Sequence, residues 1–154
     1  VTTLIVATDG SELAIQAALA GASLTARADR LLVVCAVDLV DPAEDATGHA
    51  GPTMTHEQVG DSHREAKAEG QAAVAATAEA LRDVGYEPEQ VETLLVEGDA
   101  GPALCRLAAE VGASALIVGS RGRGGLKRAL LGSVSDYIVR NAPCSVVVSR
   151  DREP

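Results

Sequence analysis

Residues 1–37 run VTTLIVATDGSELAIQAALAGASLTARADRLLVVCAV, and three segments separate within them on elementary grounds. Val1 to Thr8 is a short β-branched run that halts at Asp9-Gly10-Ser11, ordinary turn chemistry. Ser11 is placed to cap a helix running to about Ala26, with Leu13, Ala17, Leu19, Ala20 and Leu24 as its apolar face. Leu31 to Val37 is a second strand with no polar alternation, the pattern of a strand covered on both faces. Two such strands joined by a helix predict a right-handed crossover between parallel neighbours.

The rest of the chain repeats that unit. Residues 38–62 carry Pro42, Gly48, Gly51, Pro52 and Gly60 among acids, threonines and histidines, and are expected to form one long loop. His63 to Val84 is rich in Ala, Glu, Lys and Arg and predicts a long helix stopped by Gly85. Val91 to Val96 predicts a third strand, and Gly101-Pro102 opens a helix to about Val111. Ala115 to Gly119 is a fourth strand, Ser133 to Asn141 a last helix and Ser145 to Ser149 a last strand. The order β-α-β-α-β-α-β-α-β implies an open parallel sheet of five strands with helices on both faces. Ligands of such sheets sit beyond the carboxyl ends of strands where the strand order reverses. Two ends carry suitable chemistry: Ala7-Thr8-Asp9, and Gly119 onward.

At 154 residues the chain suits one domain with a sizeable core. That core must be built from Val, Leu, Ile and Ala, because there is no Phe, no Trp and only two Tyr. With so few aromatic platforms and a formal net charge of −9, nucleic acid is not an expected partner. The scarcity of aromatics also disfavours a flavin carrier. Cys35, Cys105 and Cys144 share no metal-type spacing and sit in apolar contexts, as buried reduced thiols do. No signal-type segment and no apolar run of about 18 residues is present, so the expectation is a soluble cytoplasmic protein without a membrane partner.

Residues 119–133, GSRGRGGLKRALLGS, hold five glycines, four basic residues and no acid. Glycines bring backbone N–H groups close to a ligand and clustered cations complement an anion, so the stretch predicts a phosphate site. A Walker A loop would need Gly-Lys-Ser/Thr, whereas Gly125 is followed by Leu126. The dinucleotide fingerprint fails as well: Gly122-Arg123-Gly124 reaches Lys127 where a third glycine is required.

The spacing that fits is Gly119-x2-Gly122-x9-Gly132-Ser133. Here the chain resembles the nucleotide-binding branch of the universal stress protein family, whose signature is G-x2-G-x9-G-[ST]. The opening Ala7-Thr8-Asp9-Gly10-Ser11, the LLGSVS around the last glycine and the closing PCSVVV strengthen the resemblance, which covers about residues 3–150. It implies a Rossmann-like domain over residues 1–150, of the adenine nucleotide alpha hydrolase type, with strand order 3-2-1-4-5 and a C-terminal tail at 151–154.

The implied site is Ala7, Thr8, Asp9, Val37, Val118, Gly119, Arg121, Gly122, Gly132, Ser133, Val134 and Ser135. Asp9 would face adenine and ribose, and Val37 would pack on adenine. Gly119 and Gly122 would admit ribose and phosphates, with Arg121 close by. Gly132, Ser133, Val134 and Ser135 would hold phosphates at the last helix. The implied ligand is ATP or another adenine nucleotide, with Mg2+ or Mn2+ carried mainly by its phosphates, and no catalytic residue or protein metal site is carried over. Family members dimerise through the last strand, which makes a homodimer through 145–149 the expected assembly.

Several residues keep a plainer reading beside this one. Ser133 with Asp136 is an S-x-x-D pattern that can cap a helix and do nothing else. Asp9 can be a turn residue. Arg123, Lys127 and Arg128 can be a solvated face that raises the local potential. His49, His56 and His63 recur every seven residues, but Gly51 and Pro52 interrupt a helix, so exposed loop histidines are expected instead of a metal site. Two functions stand: a nucleotide-dependent regulatory module with at most slow hydrolysis or autophosphorylation, and an ATPase or phosphotransferase with residues 38–62 as a lid. No Walker lysine and no evident general base favour the first.

Overall fold

Five strands pair into one parallel sheet: Thr3–Ala7, Arg30–Val37 and Ala115–Gly119 are apolar and buried over most of their length, and a helix follows each of the first four strands. The computed structural model of the protein describes residues 1–25, 28–39, 54–122 and 131–150. The elements are β1 (Thr3–Ala7), α1 (Glu12–Leu24), β2 (Arg30–Val37), α2 (His56–Asp83), β3 (Val91–Glu97), α3 (Ala100–Glu110), β4 (Ala115–Gly119), α4 (Ser133–Asn141) and β5 (Ser145–Ser149). A short 3-10 turn, Pro88–Gln90, leads into β3. The strand order is β3-β2-β1-β4-β5, as expected. Among the described residues no helix is long and apolar enough to cross a membrane.

Alternate residues of each central strand enter different cores. Leu4, Val6, Leu31, Val33 and Ile117 pack with α1 and α2, while Ile5, Leu32, Val34, Leu116 and Val118 pack with α3 and α4. The chain leaves β1 for β2 on one side and later crosses to β4 on the other, where Leu4, Ile5 and Val6 face Ala115, Leu116 and Ile117. The order therefore reverses between β1 and β4, and the crevice of such sheets opens there. At the outer edge Arg30 donates two hydrogen bonds to Glu92, at 2.7 and 2.8 Å. The guanidinium holds the Glu92 carboxyl below its usual range. Both groups are well exposed, so the pair adds little to stability.

Three local expectations change. The buried face of α1 is Ala14, Ala17, Ala18, Gly21 and Ala22, whereas Leu13 and Leu24 are exposed at 41% and 78%. Close approach of the helix to the sheet selects the small residues. The helix also stops at Leu24, with Thr25 extended. Finally, α2 begins at His56, so residues 56–62 are helical and not loop. A capping box accounts for it: Thr55 Oγ1 accepts from the Gln58 amide at 3.2 Å, and Gln58 Oε1 accepts from the Thr55 amide at 2.8 Å. Residues 40–53 of the expected loop and the tail 151–154 lie outside the described residues. Replacing Thr55→Ala removes the cap, and urea unfolding should show a loss of about 1 kcal/mol.

Candidate functional site

The carboxyl end of β1 is fixed by its own turn. The Thr8 amide donates to the Val34 carbonyl at 2.9 Å, continuing the ladder one residue past the strand. Asp9 Oδ1 accepts from the Ser11 amide at 2.9 Å and from the Ser11 hydroxyl at 2.6 Å. Ser11 Oγ in turn accepts from the Ala14 amide at 3.2 Å and caps α1, as expected. Gly10 makes the turn possible. Its φ is +77°, and a Cβ there would lie 2.7 Å from Ala73 Cβ on α2. Asp9 is thereby presented half-buried at the top of the sheet.

The facing wall is pinned through one carbonyl. Ser120 O accepts from the Gly132 amide at 2.7 Å and from the Ser135 hydroxyl at 3.2 Å, while the Ser120 amide donates to Ser149 O at 2.8 Å. Gly132 is the N-cap of α4 and Ser133 its first helical residue, so Ser133 does not cap the helix. Among the described residues no side chain caps α4, and its first-turn N–H groups meet the crevice with their positive partial charge. Ser135 is 2% exposed, and its single hydroxyl proton is shared between Ser120 O and Gly132 O, the latter at 3.0 Å. That hydroxyl holds the two ends of the glycine-rich segment together. Ser133 is exposed at the mouth.

Between these walls lies a cavity of about 320 Å³, within the size range of small-molecule sites. Of the twelve residues expected from the sequence, Ala7, Thr8, Asp9, Val118, Gly119 and Arg121 line it, with Gly122, Gly132, Ser133, Val134 and Ser135 opposite. Val37 does not. It sits on the α2 side of β2, where its Cγ1 occupies the place a Cβ on Gly70 would need. Ala36, one residue earlier and so on the other face, lines the cavity together with Val34 and Cys35. Ala14, Ala100, Leu104 and Leu131 complete the apolar lining and were not anticipated. Period-two alternation along LLVVCAV could have identified Ala36 once one face of β2 was assigned; nothing local marks Ala100 or Leu104. The charged residues of the described lining are Asp9 and Arg121.

The motif glycines differ in what they permit from the glycines packed against neighbouring elements. Gly10, Gly21, Gly70 and Gly101 would each bring a Cβ to within 2.2–2.7 Å of a neighbour. At Gly119, Gly122 and Gly132 the nearest protein atoms would be 3.4, 3.7 and 3.4 Å away, and none has a positive φ. Among the described residues, neither backbone conformation nor packing explains why these three positions lack a side chain. All three line the cavity, so the space they keep open is the cavity's own.

Other candidates have structural explanations. Of the three thiols expected to be buried only Cys35 is; Cys105 and Cys144 are half-buried, and burial pushes the Cys105 thiol up, while burial together with Cys105 pushes up that of Cys144. His56 and His63 lie on α2 and not in a loop. Among the described residues no three His, Cys, Asp or Glu side chains are grouped to hold a metal ion. His49, Arg123, Lys127 and Arg128 lie outside the described residues.

The sequence model of the Universal stress protein family matches residues 1–150. Universal stress protein MJ0531 of Methanocaldococcus jannaschii is 26% identical over 145 residues, covering 94% of this chain and 79% of that one. Universal stress protein YxiE of Bacillus subtilis is 39% identical over 61 residues, a stretch that takes in 40% of this chain and 41% of the relative. Among solved structures, the hypothetical protein MJ0577 shares the fold with a TM-score of 0.77 at 20% identity, over 99% of this chain and 98% of that one. A universal stress protein in complex with cAMP is 25% identical over 96% of each chain, with a TM-score of 0.53.

Proposed function

This chain belongs to the universal stress protein family, and from that premise we propose that it binds an adenine nucleotide, ATP foremost, between the end of β1 and the start of α4. In this reading it is a cytoplasmic regulatory module whose nucleotide biases conformation or partner choice, with at most slow hydrolysis or autophosphorylation. The observation that carries the reading is the set of three glycines whose missing side chains the fold does not require and the cavity does. A relative in complex with cAMP supports the adenine class.

Phosphates belong at α4, where an uncapped helix N-terminus and Arg121 supply positive charge. The base belongs at the apolar end formed by Val34, Ala36, Ala100 and Leu104, and the ribose between them beside Asp9. A Mg2+ or Mn2+ ion would travel with the phosphates and neutralise them, with Asp9 the carboxylate nearest to hand. Asp9 already accepts two hydrogen bonds from Ser11, which suits a fixed acceptor better than a mobile general base.

Mass spectrometry of nucleotide released from the purified protein, followed by calorimetric titration with ATP and Mg2+, tests the reading. Bound adenine nucleotide or saturable micromolar binding is expected. A protein that carries none and binds none ends it. Turnover above about 1 s⁻¹ would transfer the chain to the ATPase or phosphotransferase class.

We also propose a homodimer formed through β5. This strand closes one edge of the sheet, and Val146, Val147 and Val148 are only half-buried. Val147→Lys should convert a dimer to a monomer in sedimentation velocity, and an unchanged sedimentation coefficient would count against strand pairing.

A further inference from the structure

Thr77 lies in the C-terminal third of α2, fully buried, and is not part of the cavity lining. Its hydroxyl donates to the Ala73 carbonyl one turn back, at 2.9 Å. A helical threonine is satisfied by that bond alone, yet Thr8 Oγ1 stands 2.9 Å from the same oxygen. Thr8 Oγ1 also accepts the Gly10 amide at 3.0 Å. Each hydroxyl has one proton, so the direction is determined. The Gly10 N–H donates to Thr8, the Thr8 hydroxyl donates to Thr77, and the Thr77 hydroxyl donates to Ala73.

The same turn of α2 makes a second contact. Ala73 packs so close to Gly10 that no side chain fits between them. Thr8 and Gly10, the residues on either side of Asp9, are therefore both held by one turn of a helix outside the crevice. Ser11 fixes the Asp9 carboxylate relative to α1, while the Thr77 chain fixes the backbone on which that carboxylate stands.

We propose that Thr77 is a positioning residue of the nucleotide site, holding the Thr8-Asp9-Gly10 turn at the place where Asp9 meets the ligand. The inference rests on the reading of the crevice as a nucleotide site. Thr77→Val keeps the shape of the side chain and removes the acceptor, leaving the buried Thr8 proton to find another partner on the crevice side. Thr77→Ser keeps the acceptor and loses only a methyl group.

Titration of the full chain with ATP and Mg2+ should show Thr77→Val weakened by about tenfold, the range of one buried hydrogen bond, and Thr77→Ser close to wild type. Thr77→Ala, which introduces no second methyl group, is the alternative should the valine variant fail to fold. A lowered melting temperature with wild-type affinity would reduce Thr77 to a structural residue and overturn the proposal. Equal losses in the serine and valine variants would overturn it too, since they would point to the methyl group. If wild type binds no nucleotide, the proposed function fails first. Amide hydrogen exchange at Gly10 and Ser11 then reads the latch without ligand: faster exchange in Thr77→Val is expected, and unchanged exchange overturns it.

Discussion

Gly122→Val is expected to lower nucleotide affinity by about a hundredfold or more while leaving the melting temperature within about 2 °C of wild type; about 2.7 kcal/mol of lost binding lies inside the usual cost of overpacking a filled site. The separation of the two effects comes from the geometry. Gly122 has no positive φ, and its added Cβ would find Asp9 Oδ2 at 3.7 Å as its nearest described neighbour, so the described residues leave room for a side chain. The branched valine would stand between Asp9 and the first turn of α4, across the path a nucleotide would take from base to phosphates. Backbone approach to the ligand is then lost at the point the glycine keeps open. Titration with ATP and Mg2+ beside thermal melting separates the outcomes. Affinity within threefold of wild type would show that the spacing motif does not border a ligand, and the central claim would fail.

What could be read from the chain divides along a physical line. Strands, helices and strand order follow from local composition and from the handedness of crossovers, and the sheet has the expected order. Residues adjacent to the turn and glycine signals, Asp9, Gly119, Gly122, Gly132 and Ser135 among them, are brought together because chain connectivity forces both strand ends to the same side of a parallel sheet. Contacts set by a facing element were not legible. Val37 was one residue away from Ala36, and on a strand one residue is the opposite face. Ser133 has the composition of a cap, yet the bond from Gly132 to Ser120 starts α4 one residue earlier. The exposed Leu13 and Leu24 mislead for a related reason: the apolar side of α1 is its small side, and periodicity counts hydrophobicity without size.

That last point makes stability predictable in sign. Gly21 faces Ile117 on the central strand β4, and a Cβ would fall 2.2 Å from Ile117 Cγ2. Ile117 is fully buried, so neither its rotamer nor the strand can give way. In an exposed helix Gly→Ala stabilises by about 1 kcal/mol. Here the collision should outweigh that gain, and Gly21→Ala is expected to destabilise by about 2 kcal/mol net, lowering the melting temperature by roughly 4–8 °C. Gly60 in α2 supplies the contrast, since among the described residues nothing outside its own stretch of helix lies within 4 Å of its absent Cβ. Gly60→Ala should therefore raise stability by up to about 1 kcal/mol. The same substitution in two helix interiors is thus expected to act with opposite signs. Urea unfolding of both variants checks it, and a stabilising Gly21→Ala would mean that α1 can stand off from the sheet. In that case the absence of Phe and Trp from the core would no longer follow from the close approach of helix to strand.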